Sequence, residues 1–115
     1  MMPVVFYRYI SYQPEVDQII NERKVQSTNP KTQYATWYAP TRYDDSKKAQ
    51  RELSLKNEPT HRVGPIPSDK MPDFEIGLRP VAPAFGQPGG GIEACTKLPI
   101  WLFGLWNFQE NSWDL

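Results

Sequence analysis

The segment Pro80-Val81-Ala82-Pro83-Ala84-Phe85-Gly86-Gln87-Pro88-Gly89-Gly90-Gly91-Ile92-Glu93 is the most unusual stretch of the chain. Its three consecutive glycines permit backbone angles and close approaches that a side chain forbids. No Gly-Lys-Ser/Thr follows, so it is not the phosphate loop of a nucleotide triphosphatase. With no strand reading into it and no helix following, it is not the glycine turn of a dinucleotide-binding βαβ unit either. On glycine content alone it is a turn feeding the strand Ile92 to Thr96, an arrangement that argues against a doubly wound parallel sheet.

Working outward, Ile100 to Phe108 is so apolar that it predicts a strand covered on both faces. Upstream, Gly64-Pro65-Ile66-Pro67 and the proline-interrupted stretch to Pro83 predict a connecting loop, because proline lacks the ladder N–H of a central strand. Thr60 to Val63 predicts a short strand before it. Asp44 or Asp45 is placed to cap a helix running through about Leu53, with Ala49 and Leu53 inward and Lys47, Lys48 and Arg51 outward. Tyr34 to Tyr38 alternates like a strand that stops at Pro40, and Gln26 to Gln33 is a polar loop. Pro14 suits a first helical turn, Val16, Ile19 and Ile20 form its apolar stripe, and that helix is expected to end near Val25. Val4 to Ile10 predicts the first strand, with Val4, Phe6 and Ile10 on one face and Val5, Tyr7 and Tyr9 on the other. The order of elements predicts an α+β domain with a small mixed or split β-sheet and two short helices.

Arg8 falls among the apolar residues of that first strand. A guanidinium there costs desolvation unless a carboxylate pairs with it or an anionic ligand meets it. The whole chain has 115 residues, fitting a single domain spanning 1 to 115. Lys+Arg and Asp+Glu each number 13, leaving no basic excess to drive nucleic-acid binding. One cysteine, Cys95, and one histidine, His61, are too few for a disulfide framework or a structural zinc site. Cys95 has no basic neighbour in sequence to activate it and reads as inert. No stretch of about 18 apolar residues occurs, so membrane insertion is not expected. Aromatic residues at 13% together with 12 prolines describe a packed but loop-rich domain.

The run Ala82-Pro83-Ala84-Phe85-Gly86-Gln87-Pro88-Gly89-Gly90-Gly91 resembles the signature of the tuberculosis necrotizing toxin family of NAD glycohydrolases. The layout around it is also similar: Arg8-Tyr9 in an early strand, Tyr38-Ala39-Pro40 before an arginine-bearing helix, and a strand leading to Pro65-Ile66-Pro67. The resemblance implies an ADP-ribosyltransferase-like fold in which NAD is the substrate and is cleaved to nicotinamide and ADP-ribose, with no separate cofactor. It further implies that Arg8 holds the phosphate or ribose portion of NAD, that Tyr38 or Phe85 stacks on nicotinamide, and that Gln87 belongs to the binding loop. Two residues beyond the glycines the family carries glutamine, whereas this chain has Glu93. A carboxylate there would stabilise an oxocarbenium-like transition state, and glutamate at that place is also typical of ADP-ribosyltransferases. Arg42 or Arg51 would correspond to a further family arginine, and His61 to a histidine on the following strand. For Arg51 the alternative is a solvated helix face, and for His61 a partly buried, hydrogen-bonded side chain.

The resemblance also implies a toxin or effector domain, delivered into a target cell, with a cognate immunity protein in the producer. Two other functions fit the residues: transfer of ADP-ribose to a macromolecular acceptor, and a noncatalytic module whose proline-rich segment 64 to 88 binds a protein. Under the NAD reading, Arg8→Ala and Glu93→Ala are each expected to lower turnover at least about tenfold with the fold intact.

Overall fold

The computed structural model describes residues 3, 5–25, 36–74, 76–96, 100–101 and 104–115. The chain forms strand β1 (Val5–Ile10), helix α1 (Gln13–Glu22), β2 (Lys24–Val25), β3 (Thr36–Tyr38), helix α2 (Ser46–Glu52), β4 (His61–Pro67), a 3-10 turn (Ser68–Lys70), β5 (Ile76–Pro80), β6 (Ile92–Thr96), β7 (Ile100–Trp101), β8 (Leu105–Asn107) and β9 (Ser112–Trp113). It is an α+β fold. Of the mixed and split alternatives, the described residues show divided sheets, ordered β1-β4-β8-β9, β2-β7 and β3-β6-β5, and the described strand pairs are antiparallel. The first and third sheets touch through a single bridge in which the Tyr7 and Ala39 N–H groups each donate to the other's carbonyl at 2.8 Å.

Both faces of β1 are covered, as its composition predicts. Phe6 and Ile10 pack with Val16 and Ile19 of α1, Val63 and Ile66 of β4, and Leu105 of β8. On the opposite face Tyr7 and Tyr9 pack with Tyr43 and Ala49 of the α2 region. Each fully buried Ile, Leu or Phe here contributes about 1.5–3 kcal/mol relative to exposure.

Asp45 caps α2, its carboxylate accepting from Lys47 N–H at 2.9 Å and Lys48 N–H at 3.4 Å. Helix α1 stops at Glu22 rather than near Val25, because Arg23 turns left-handed (φ 59°) and sends Lys24 and Val25 into a strand against β7. The expected loop Gln26 to Gln33 and the residues Tyr34 and Ala35 of the second strand lie outside the described residues.

Three expectations fail in the last half of the chain. The segment Gly64-Pro65-Ile66-Pro67 continues β4 instead of leaving it. Beyond Val63 the described strand partners of β4 are those of β1, and Gly64 N–H still donates to the Gly104 carbonyl at 3.1 Å. The ladder with β1 is bulged between Phe6 and Arg8, an irregular pairing that admits the prolines. The expected loop to Pro83 contains β5, an edge strand against β6 whose residues are all exposed; a strand therefore does lead into the glycines, although a strand and not a helix follows them. The apolar run Ile100 to Phe108 is not one covered strand. It divides into β7 and β8 around Gly104 (φ 111°), and Trp101 is 69% exposed.

The three glycines are not a phosphate cradle. Gly89 N–H and Gly91 N–H donate to the Arg51 and Glu52 carbonyls, each at 3.0 Å, and Gly90 N–H donates to the Val81 carbonyl at 3.0 Å. The first two satisfy terminal acceptors of α2, which a helix end otherwise leaves to solvent, so these donors are consumed by the fold. At Gly89 (φ 72°) an added Cβ would stand 2.5 Å from the Val81 carbonyl oxygen. Gly89→Ala is therefore expected to destabilise the domain by about 2–3 kcal/mol through backbone strain and overpacking, measured as a lowered urea midpoint with an unchanged slope.

Candidate functional site

Where the first and third sheets diverge, a cavity of about 660 Å³ opens, lined from β1, β3, β5, β6 and the segment after α2. Its volume is within the range of about 300–1,000 Å³ common for small-molecule sites. Four residues singled out in the sequence line it together, Arg8, Tyr38, Phe85 and Glu93. They come from β1, β3, the turn after β5, and β6.

Arg8 enters from β1 and is met by Glu15 from the first turn of α1. Its Nε and Nη2 lie 2.8 and 2.6 Å from Glu15 Oε1, and Nη1 donates to the Trp37 carbonyl at 3.2 Å. The arginine thus takes the first of the alternatives its position posed, a carboxylate partner, and it also lines the cavity. Glu15 is itself buried and cavity-lining, and nothing in its helix-start position marked it as more than a favourable charge near the helix N-terminus.

Tyr38 is 1% exposed, and its hydroxyl has no hydrogen-bond partner among the described residues. Burial raises its pKa far above the ordinary phenol value, while nearby Arg8 pulls it down and Glu15 pushes it up. The group is a neutral phenol, able to donate to a ligand. An unpaired buried hydroxyl costs desolvation with no return. Tyr38→Phe is expected to leave the empty protein as stable or about 1 kcal/mol more stable, read from thermal unfolding, while weakening ligand binding.

Phe85 occupies the tip of a two-residue turn in which Ala84 and Gln87 bond to each other's backbone at 3.2 and 2.9 Å. Its φ of 53° is left-handed, a conformation in which a phenylalanine is strained by about 1–2 kcal/mol, and its ring is 66% exposed at the cavity. Asparagine or glycine would suit such a turn better. A large aromatic held there against local preference is the kind of strain found at binding sites.

Glu93 on β6 faces Arg79 on β5 in the strand register. Burial raises its carboxyl pKa above the ordinary value, and the Arg79 charge opposes the rise. Arg79, which nothing in the sequence singles out, and Trp37, an aromatic of the predicted second strand whose alternative is core packing, also line the cavity, with the guanidinium carbon 4.7 Å from the indole centroid. Only the pairing of β3 and β5 on either side of β6 brings them together.

The other sequence candidates do not reach the cavity. The Gln87 backbone closes the Phe85 turn. Arg42 is exposed and held 2.8 Å from Asp44, and Arg51 lies on the solvent face of α2, where its carbonyl receives Gly89. His61 is buried between Thr60 Oγ1, 2.7 Å from Nδ1, and Asp114 Oδ2, 3.0 Å from Nε2, tying β4 to the segment after β9. A side chain pointing outward from α2, or toward that segment, cannot also enter the divergence of the two sheets. Arg62, unremarked in the sequence, is buried among Tyr7, Trp106 and Phe108 and donates to the Tyr43 carbonyl at 2.9 Å, a structural role.

The fold and the cavity define a small α+β domain with an aromatic- and ion-lined pocket between antiparallel sheets. The chain matches no family model, no curated protein and no solved structure. Among the described residues, no helix is long and apolar enough to cross a membrane.

Proposed function

We propose that this chain is an ADP-ribosyltransferase-like domain that hydrolyses NAD to nicotinamide and ADP-ribose, in the manner of the tuberculosis necrotizing toxin family. The observation that carries the reading is the lining of one cavity by Arg8, Tyr38, Phe85 and Glu93, residues separated by up to 85 positions and selected by their resemblance to that family. The division into separate sheets with a cavity at their divergence supports the ADP-ribosyltransferase-like assignment.

The charges of the cavity suit a zwitterionic substrate. It carries two arginines and two glutamates, Arg8 beside Glu15 and Arg79 opposite Glu93, while NAD joins a cationic pyridinium to an anionic diphosphate. In this reading Glu93 faces the ribose from which nicotinamide departs. As the glycosidic bond breaks, its electron pair leaves with nicotinamide, the carboxylate stabilises the oxocarbenium charge, and water adds to the anomeric carbon and loses a proton. Tyr38 donates from the cavity wall, Arg8 offers its remaining N–H groups to ribose hydroxyls, and Phe85 supplies an aromatic face. Glu93 in place of glutamine favours one further outcome, transfer of ADP-ribose to a macromolecular acceptor instead of water. The role would be that of a toxin or effector, held in check in its producer by an immunity protein.

The test is incubation of the purified protein with NAD alone, following nicotinamide and ADP-ribose by chromatography. Accumulation of both over many turnovers supports hydrolysis. ADP-ribose attached to a protein after addition of cell lysate moves the assignment to transfer. Intact NAD under both conditions refutes the reading.

A further inference from the structure

We propose that Arg79, laid against Trp37 at the exposed side of the cavity, is the diphosphate-binding group of this site, and that Arg8 is not. The proposal rests on the reading of the cavity as a nucleotide site and assigns a residue that the resemblance does not.

Two arginines line the cavity and their situations differ. Arg8 has spent Nε and Nη2 on one Glu15 oxygen and Nη1 on the Trp37 carbonyl. Its charge is cancelled within a few ångströms, and a diphosphate brought to it would also approach the Glu15 carboxylate. Arg79 has no ion pair with any described residue. Its guanidinium carbon stands over the Trp37 ring, 4.7 Å from the centroid, and an arginine packed on a ring in this way still offers N–H donors to an oxyanion. Stacking of this kind also holds the fork in a restricted set of orientations before a ligand arrives, lowering the entropy cost of binding.

The register adds a positional match. Arg79 and Glu93 are direct partners across β5 and β6, and facing side chains on antiparallel strands start about 5 Å apart. In NAD the nicotinamide ribose is joined directly to the diphosphate, so a carboxylate at that ribose and a cation at the phosphates must be near neighbours. Because β5 is an edge strand with exposed residues, phosphate oxygens not bound by Arg79 remain hydrated.

The experiment is calorimetric titration of ADP, inorganic pyrophosphate and adenosine into the wild-type protein, Arg79→Gln and Arg79→Lys. Arg79 is exposed, so the variants are expected to fold, and matching unfolding midpoints check this. ADP affinity is expected to fall at least about tenfold in Arg79→Gln, as for loss of a charge-assisted hydrogen bond, and part of it to return in Arg79→Lys. Adenosine binding is expected not to change. Pyrophosphate that binds and follows the same order assigns the effect to the diphosphate itself. Equal ADP affinity in wild type and Arg79→Gln, or no ADP binding by the wild type at millimolar concentration, overturns the proposal. Arg79-dependent ADP binding without NAD cleavage leaves the subsite standing and removes the hydrolase reading. NAD cleavage with an unchanged KM in Arg79→Gln does the reverse.

Discussion

On the proposed NAD reading, Glu93→Ala is expected to lower the rate of NAD cleavage at least about tenfold, mainly in kcat, because in that reading the carboxylate acts on charge that develops only as the glycosidic bond breaks. The same charge predicts a pH profile. Burial raises the Glu93 pKa above the ordinary carboxylate value, with Arg79 opposing, so the active carboxylate is lost at a higher pH than usual as the solution is acidified. The acid limb of kcat/KM, which reports groups of the free protein, is therefore displaced upward from the ordinary carboxylate range. Removing the opposing cation in Arg79→Gln moves it further in the same direction. Glu93→Gln keeps the shape and a hydrogen-bonding side chain while removing the charge, and its activity is expected to lose that acid limb. Wild-type turnover in both Glu93 variants excludes this residue from the reaction.

Arg8→Ala has its largest expected effect on stability, contrary to the expectation of an intact fold. Glu15 is paired to Arg8 at 2.6 Å, with side-chain exposures of 7% for the glutamate and 18% for the arginine. Deleting the arginine leaves a buried carboxylate without its counter-charge, which costs about 3–5 kcal/mol where pairs are well buried. The partial exposure of Arg8 places the expectation near 3 kcal/mol, a fall in Tm on the order of 10 °C for a domain of this size. The variant therefore confounds catalysis with folding. Changing the pair together, Arg8→Met with Glu15→Leu, is expected to restore most of the stability, since neither charge is then buried alone. A single Arg8→Ala variant as stable as wild type contradicts the structural weight given to this pair.

The features legible in the sequence were those with local causes. The Asp45 cap depends on a side chain and two N–H groups within three residues. The two-faced apolar pattern of β1 states its burial directly, and β6 has the predicted bounds, Ile92–Thr96. Arg8, Tyr38, Phe85 and Glu93, singled out by the family resemblance rather than by local pattern, line one cavity. The misread elements depend on what lies beside them. Pro65 and Pro67 enter β4 where its ladder with β1 is bulged between Phe6 and Arg8, and no local pattern states where a distant strand bulges. Exposed β5 carries little hydrophobic signal because β6 pairs with only one of its edges. The apolar run from Ile100 overstated burial, since Gly104 breaks it into strands belonging to different sheets.

By itself, then, the sequence determined the secondary-structure class and the covered first strand, both matters of residue type and near-neighbour spacing. Tertiary structure alone decided which arginine is ion-paired and which, among the described residues, has no ion pair. Arg8 meets Glu15 because α1 folds back beside β1, and Arg79 meets Trp37 and Glu93 because β3 and β5 flank β6. The electrostatic character of a charged side chain depends on partners within a few ångströms, and chain folding supplies those partners from positions that sequence spacing does not connect.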